Sequence, residues 1–525
     1  MIRALLVIAT FWPVAATAAA DIPVLAYHDI VERRGGDAYA VTREEFRAQL
    51  AYLKREGYTP VSLATLTRAG RGEAILPDKP VVLTFDDGLT SYASEAVPLL
   101  KEYGYPSVLS VVTSWVDGQD PPAQYRGRLL GWAELRALAA MPLIEIISHS
   151  HDLHRGVVSN PQGNEAPAGN TRIYRGGGQY ESEAEFRTRI RADLERSQAR
   201  IVQELKREPV AIAWPYGAYD QVTVEEATRL GMRLHLTLDE RPTRLADLPR
   251  LNRMTFHKYR RLADLDDMLT FRKYRTEQLR FVQIELGDWA GKPAVEQERL
   301  LSALLQRVEL LGVNALIIVP VTRGREAALF PTDALPVSAD LLNRVLHQLQ
   351  RRGRIEHRYL RLPVAIDGVD VVRLYADMAR LNRFSGVVLD GKLAPVERQR
   401  LVERLRYHQP AVKVGVTGAE EPPPGADFVL VELEPAGAAA LANRAQAHGR
   451  NGMPAYFLIQ RTPGTRDVEL YDTMRALRAA GIRHYGYTND DFLGDSPSLL
   501  RTVTELRAHT VVSAEAASRA GEGRR

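Results

Sequence analysis

Two adjacent aspartates stand at the end of a short apolar run in the first part of the chain. Residues 81–85 read Val-Val-Leu-Thr-Phe, and Asp86, Asp87 and Gly88 follow them. Because neighbouring side chains on a strand point in opposite directions, one carboxylate can hold a metal ion while the other acts on the water or substrate beside it. The pattern does not say which aspartate does which, and two solvated acids at a strand-ending turn would produce the same pattern.

Three histidines form a second cluster, directly after another apolar run. His149, His151 and His154 lie within six residues, although the whole chain has 12 histidines. Metal ligands on one face of a helix are three or four residues apart. His151 and His154 therefore suit a helix, whereas a loop has to bring His149 and His154 together. Solvated loop histidines are the alternative interpretation.

Together the two segments offer two imidazole nitrogens and one carboxylate oxygen. This is the ligand set of a catalytic zinc site that keeps one position open. Bound zinc polarises a carbonyl oxygen and lowers the pKa of water, and the second aspartate can act as the general base. The residues therefore predict metal-assisted hydrolysis of an amide, with about one divalent ion per chain and zinc favoured.

The elements that hold these residues alternate between short apolar strands and amphipathic helices. Thr42 with Glu45, and Ser182 with Glu185, form the capping boxes that mark helix starts. Alternation of this kind is typical of a parallel sheet or barrel. The predicted strands of the first half are residues 24–27, 81–85, 107–112, 143–148, 210–213 and 234–238.

A second alternating series follows a charge-rich junction at about residues 258–280. Eight strands separated by helices predict a (β/α)8 barrel. We therefore expect an α/β protein with a distorted N-terminal (β/α) barrel at 21–265 and a C-terminal (β/α)8-like barrel at 275–510. The predicted strands of the second half are residues 281–284, 315–321, 359–364, 386–389, 412–416, 428–433, 455–459 and 485–487.

The composition and the two ends of the chain indicate what kind of protein this is. Of 525 residues, 45% are hydrophobic and 26% are charged, and the net charge of +4 argues against nucleic-acid binding. Residues 1–20 combine Arg3, an apolar run and small residues, which is typical of a signal peptide; an uncleaved anchor is the alternative. We expect a periplasmic protein with no transmembrane segment in the mature chain, and a disordered tail at 511–525.

The segments that could do chemistry resemble the motifs of a known family. Residues 84–88 resemble the first motif of NodB-like polysaccharide deacetylases, residues 149–154 their histidine motif, and residues 213–217 a third motif that lines the pocket. More narrowly, residues 25–30 and 153–164 are similar to poly-β-1,6-N-acetylglucosamine N-deacetylases of Gram-negative biofilm systems. The resemblance implies an N-terminal barrel of the NodB-like deacetylase type.

The resemblance also implies a role for each matching residue. The implied base is Asp86, the implied metal ligands are Asp87, His149 and His154, and the implied substrate-binding residues are His28 and Tyr216. The backbone N–H of Tyr216 would stabilise the oxyanion. Two family features are missing. Ala213 and Trp214 stand where many members have an arginine that orients the base, and the late histidine acid is absent, so the general acid is unassigned.

The second half resembles the C-terminal glycoside-hydrolase-like barrel of the same biofilm deacetylases, in landmarks such as Phe-Pro at 330–331 and Tyr-Gly-Tyr at 485–487. Family members have an acidic pair at the end of the fourth strand. Here Asp390 is the nearest acid, and Glu285 and Asp288 are the other candidate residues of the cleft. Because glycosidic cleavage needs two suitably spaced carboxyl groups, we expect a degenerate barrel that binds the polymer rather than one that cleaves it.

The leading hypothesis is N-deacetylation of an exported poly-β-1,6-N-acetylglucosamine, with this polymer and an outer-membrane export porin as partners. One alternative is the same reaction on peptidoglycan or on a chitin-like β-1,4 chain. Another is a non-catalytic scaffold for polymer binding and secretion. The four residues Asp86, Asp87, His149 and His154 argue against a scaffold, because polymer binding alone does not require them.

Overall fold

The computed structural model describes residues 21–257, 259–418, 423–435, 453–462 and 464–507. The predicted signal peptide at 1–20 and the predicted tail at 511–525 lie outside these residues. Among the helices in the described part of the chain, none has both the length and the apolar character that crossing a membrane requires.

The first half contains fifteen short strands among its described residues. They are β1 (Val24–Tyr27), β2 (Asp29–Val31), β3 (Ala40–Thr42), β4 (Thr59–Pro60), β5 (Pro80–Phe85), β6 (Ser107–Val111), β7 (Ile144–Ser148), β8 (Gly156–Val158), β9 (Glu165–Pro167), β10 (Tyr174–Gly176), β11 (Gln179–Tyr180), β12 (Ala211–Ala213), β13 (Leu234–Thr237), β14 (Arg250–Asn252) and β15 (Met254–Thr255).

Nine of these strands form one curved sheet. Their order is β14-β13-β12-β7-β6-β5-β1-β15, and β4 pairs with β5. The edge strands β14 and β15 follow each other directly in the sequence, so the sheet bends into a nearly closed barrel. The pairs β1–β5, β1–β15, β5–β6 and β12–β13 are all parallel. The predicted distorted barrel is confirmed.

The helices of the first half bury apolar side chains, except the last one, Arg272–Thr276, which has no buried residue. Both predicted capping boxes are present, at Thr42 and at Ser182. A π-helical turn at Tyr92–Ala96 leads into the third helix. The helices are α1 (Arg43–Arg55), α2 (Leu63–Gly70), α3 (Val97–Tyr103), α4 (Thr113–Val116), α5 (Trp132–Ala139), α6 (Glu183–Leu205), α7 (Gln221–Arg229), α8 (Leu262–Leu269) and α9 (Arg272–Thr276).

The second half forms a closed barrel of eight parallel strands, which confirms the predicted (β/α)8-like fold. Its strands are β16 (Leu279–Glu285), β17 (Ala315–Val319), β18 (His357–Pro363), β19 (Gly386–Asp390), β20 (Lys413–Thr417), β21 (Phe428–Leu433), β22 (Ala455–Ile459) and β23 (His484–Tyr487). Its described helices are α10 (Ala294–Leu311), α11 (Leu342–Arg351), α12 (Val371–Leu381), α13 (Pro395–His408), α14 (Asp467–Ala479) and α15 (Leu499–Leu506).

Apolar side chains fill the second barrel, so it is a packed core rather than a channel. Phe281, Tyr359, Phe428 and Tyr456 belong to one buried cluster. Gly415 is required among them, because a Cβ atom at this position would lie 2.3 Å from the ring of Phe428.

The strand limits differ from the sequence predictions by a few residues. The strand predicted at 315–321 ends at Val319, because Pro320 has no N–H to continue the ladder. Strands β14 and β15 were not predicted, since two- and three-residue strands are too short to show a period. The charge-rich junction contains helices α8 and α9, and the domain limits 21–265 and 275–510 remain predictions.

Candidate active site

Asp86 and Asp87 follow strand β5, all six residues of which are buried. The N–H of Asp86 donates to the carbonyl of Tyr27 at 2.9 Å, so the chain is still paired with β1 at this point. Asp87 then adopts a φ of 74° and Gly88 one of 73°. A left-handed aspartate is uncommon, and this sharp turn separates the surroundings of the two adjacent carboxylates.

Two side chains donate hydrogen bonds to Oδ1 of Asp86. Its Oδ1 accepts a hydrogen bond from Ser110 Oγ at 2.7 Å and another from Arg253 Nη1 at 2.7 Å. Its Oδ2 lies 4.0 Å from Nε2 of His28. Two donors on Oδ1 fix the plane of the carboxylate, which is what a general base requires of its surroundings.

Arg253 was missed in the sequence analysis. It lies between the edge strands β14 and β15, is completely buried, and also donates to Thr84 Oγ1 at 3.2 Å. Arg253 therefore places a cation beside Asp86 from the seam of the barrel, whereas residues 213–214 of the third motif offer none. The only sequence signal was one arginine in the short run Leu-Asn-Arg-Met.

Asp87, His149 and His154 form one group that could hold a metal ion. Each offers one ligand atom, and these atoms all lie within 4.8 Å of one another. His149 places its Nδ1 2.7 Å from the carbonyl oxygen of Ala213. A hydrogen bond of this kind fixes the imidazole tautomer and leaves Nε2 for a metal. Two nitrogens and one carboxylate oxygen at such spacing fit a zinc ion.

His151 lies in the same segment but outside this group. Its side chain is buried, and Nδ1 lies 3.0 Å from Thr113 Oγ1. Burial lowers the pKa of His151, with a further contribution from Arg196. The structure thus brings together the first and last histidines of the segment rather than His151 and His154, so a loop and not a helix positions them.

Asp193 of helix α6 anchors that loop. Its two carboxylate oxygens accept from the N–H groups of His151 at 2.9 Å and of Asp152 at 2.7 Å. Burial raises the pKa of Asp193 to about 6 against the opposing effect of these two bonds. Asp193 therefore fixes the loop through its backbone N–H groups rather than through its histidine side chains.

Aromatic rings enclose His154. The ring of Trp115 lies 4.7 Å from it and that of Tyr216 lies 4.4 Å from it, measured between centroids. Tyr216 has a φ of 57° and its side chain is 53% exposed. The next residue has to be glycine, since a Cβ atom at Gly217 would lie 2.7 Å from Cβ of Leu238. The third motif thus places Tyr216 at the metal group.

Tyr125 is a second residue that was missed. Its phenol is buried and forms a hydrogen bond with Asp87. Burial, and then the charges of Asp87 and Asp37, raise the pKa of Tyr125 above its usual value. A neutral phenol that donates to a metal-binding carboxylate orients this ligand. Tyr125 ends a short 3-10 helix at Ala123–Tyr125 that carries no motif, so nothing in the local sequence indicates its role.

We expect Tyr125→Phe to lower the zinc affinity of this group by about 10–100-fold, the usual cost of removing a partner of a metal ligand. Competition against a chromophoric chelator at constant pH measures this affinity. Tyr92→Phe is the matched control, because it removes another buried hydroxyl of the same barrel, bonded to Ser107 at 2.9 Å. Equal zinc affinity in Tyr125→Phe and the parent protein would contradict the prediction.

The candidate acids of the second barrel are engaged by arginines. Both oxygens of Asp390 accept from Arg361, at 3.0 and 3.1 Å, and Arg361 also donates to Glu432 at 2.7 Å. Glu285 pairs with Arg323 at 3.0 Å. Asp288, whose side chain is 75% exposed, lies 3.9 Å from the same Arg323.

Part of the chain that forms this site is similar to known proteins. Residues 74–235 match the family of polysaccharide deacetylases. The poly-beta-1,6-N-acetyl-D-glucosamine N-deacetylase of Escherichia coli (strain K12) is 28% identical over 354 residues, which are 65% of this chain and 52% of that protein. The chain therefore spans about half the length of this curated relative.

Two solved structures from Bordetella bronchiseptica are similar to parts of the chain. The BpsB deacetylase domain is 35% identical, over 44% of this chain and 94% of that domain, with a TM-score of 0.40. The PgaB (BpsB) glycoside hydrolase domain is 18% identical, over 44% of this chain and 99% of that domain, with a TM-score of 0.38. The second likeness concerns the fold alone.

Proposed function

Because this chain belongs to the polysaccharide deacetylase family, we propose that it removes acetyl groups from poly-β-1,6-N-acetylglucosamine by metal-dependent amide hydrolysis. The observation that carries the proposal is the grouping of Asp87, His149 and His154 within 4.8 Å, directly beside the buried carboxylate of Asp86. The name of the relative from Escherichia coli supports the β-1,6 polymer as the substrate. Zinc is the ion that we propose for this ligand set.

In this proposal the metal activates the acetyl carbonyl and the water, and Asp86 acts as the general base. When bound, the metal supplies Lewis acidity to the acetyl carbonyl and to the attacking water. Asp86 takes the proton of that water at Oδ2, because Oδ1 already accepts from Ser110 and Arg253. These two donors keep the base in one orientation, so little reorganisation is needed when the proton moves.

Three further groups orient the reactants in this proposal. The hydrogen bond from His149 Nδ1 to the carbonyl of Ala213 directs Nε2 of His149 toward the metal group. His28, whose Nε2 lies 4.0 Å from Asp86 Oδ2, lines the substrate pocket next to the base. The backbone N–H of Tyr216 donates to the oxyanion as negative charge develops on it.

A defined set of acetylated oligomers tests this function. Purified protein is incubated with β-1,6-linked and β-1,4-linked N-acetylglucosamine oligomers, with and without a chelator, and the free amines are counted. We expect amines from the β-1,6 series, none after chelation, and recovery when zinc is added. Preference for the β-1,4 series would point to a peptidoglycan or chitin-like substrate, and no amine from either series would overturn deacetylation.

We propose further that the second barrel binds the polymer without cleaving it. A glycosidase needs one carboxyl group that donates a proton and a second one suitably spaced from it. Asp390 instead has both oxygens engaged by Arg361, which also bridges to Glu432. The partners in this proposal are the polymer and, on the sequence resemblance alone, an outer-membrane export porin.

The full-length protein should bind partly deacetylated β-1,6-glucosamine polymer and leave its length unchanged. Asp288 and Glu285 share a single arginine, Arg323, so the group keeps a net negative charge that favours a cationic polymer. Binding should therefore weaken with added salt. Mass spectrometry after long incubation measures the length, and Asp390→Asn serves as the comparison. New short oligomers that disappear in Asp390→Asn would show a working hydrolase.

A further inference from the structure

Tyr39 is an exposed aromatic residue near the proposed base Asp86, and the proposed chemistry does not use it. Its side chain is 45% exposed. Its ring stacks on that of His28, with the centroids 4.7 Å apart and an interplanar angle of 28°. His28 in turn lies 4.0 Å from Asp86. One face of the Tyr39 ring therefore covers His28, and the rest of the ring is open to solvent. Only His28 separates the ring from Asp86 along this line of contacts.

The backbone holds Tyr39 in this position. Its N–H donates to Asp37 Oδ1 at 2.8 Å. The next residue begins strand β3, which pairs in parallel with β2, Ala40 lying opposite Asp29. Asp29 is buried and accepts from Ser91 Oγ at 2.7 Å. Because the backbone is held on both sides of Tyr39 and the ring is stacked on His28, the side chain loses little conformational entropy when a ligand packs on it.

We propose that Tyr39 forms a stacking platform for a sugar ring of the polymer, next to the sugar that is deacetylated. This inference rests on the proposed deacetylase function and adds a binding subsite to it. A pyranose ring has an apolar face of C–H groups, and a tyrosine ring offers a large, rigid surface for such a face. Single exposed aromatic residues are common on protein surfaces, but this one is stacked directly on the pocket-lining His28.

The subsite makes activity depend on the length of the substrate. A single N-acetylglucosamine can place its acetyl group at the metal group without reaching Tyr39, whereas a longer oligomer can do both. An aryl acetate ester carries an acetyl group but no sugar. Comparing oligomers of one to five units with such an ester therefore separates the platform from the hydrolytic chemistry.

We expect Tyr39→Ala to lower kcat/KM for the pentamer by about 3–10-fold, mainly through KM, as for the loss of one aromatic contact. Hydrolysis of the aryl ester should stay unchanged. Tyr39→Phe and Tyr39→Trp keep a flat ring and should restore the length dependence to within about twofold. Tyr274→Ala is the matched control, because Tyr274 is 46% exposed and lies on α9.

Two results would overturn the subsite. An equal loss on the ester and the pentamer would mean that Tyr39 only supports His28, and no loss on either would mean that sugars do not contact the ring. A parent protein that hydrolyses the ester but no oligomer would instead refute the proposed function itself, and the subsite with it. The ester and the oligomers thus distinguish the two failures.

Discussion

Asp86→Asn should lower kcat for deacetylation by about 10²–10⁴-fold, the usual contribution of a general base. The asparagine side chain has the same size, and its oxygen can still accept from Ser110 and Arg253, but its amide cannot take a proton from water. Because Asp86 is not in the group formed by Asp87, His149 and His154, the variant should bind zinc as the parent does. Free-amine assays and elemental analysis measure the two quantities.

Asp152→Asn is the matched control for this substitution. Asp152 lies within the histidine segment, but its carboxylate is 55% exposed and pairs with Arg155 at 2.9 Å. Exposed pairs of this kind contribute little to stability, so the control should deacetylate at the parent rate. If Asp86→Asn also turned over at the parent rate, Asp86 could not be the base. If it lost the metal, its carboxylate would have to belong to the ligand set.

The fold could be predicted wherever the pattern is local. Strand β1, at Val24–Tyr27, and strand β21, at Phe428–Leu433, have the predicted limits, because a buried apolar run between turn residues is visible in sequence. The capping box at Ser182 involves residues three apart and is also visible. Strands β14 and β15 are not, since their pairing partners lie far away in the chain and neither is long enough to show a period.

The candidate site shows the same division. The segments at 84–88 and 149–154 were found because each carries several chemical groups in a row. Arg253 reaches Asp86 across 167 residues, and Tyr125 reaches Asp87 from a short 3-10 helix with no motif. Neither contact therefore has a local signature. The place of His151 also depends on tertiary structure, since only the fold brings Thr113 to its ring.

The second barrel illustrates why a carboxylate at the expected place in the sequence does not by itself predict a catalytic acid. Asp390 stands at the end of strand β19, which is where the catalytic residues of such barrels lie. The neighbouring strand β18 places Arg361 beside it, and this guanidinium engages both oxygens. The chemistry of Asp390 is therefore set by a residue from another strand, which the sequence around Asp390 does not reveal.

His149→Ala and His154→Ala should each abolish zinc retention after dialysis, and deacetylation should be lost with the metal. Each substitution removes one of three protein ligands, so the affinity should fall by more than the 10–100-fold that the loss of an outer partner typically costs. The measurement is metal per chain by elemental analysis, with about one equivalent expected for the parent protein. Circular dichroism checks that the variants are folded.

His151→Ala is the decisive comparison, because it removes a histidine from the same loop. His151 is buried against Thr113, so its loss should cost about 1–3 kcal/mol of stability, as for other buried polar contacts. The backbone bonds from His151 and Asp152 to Asp193 do not involve this side chain, and they should keep the loop in place. His151→Ala should therefore retain most of its zinc and activity. Metal analysis in which His151 proved essential and His154 dispensable would show that the loop rearranges around the ion, and would overturn His149 and His154 as the ligand pair.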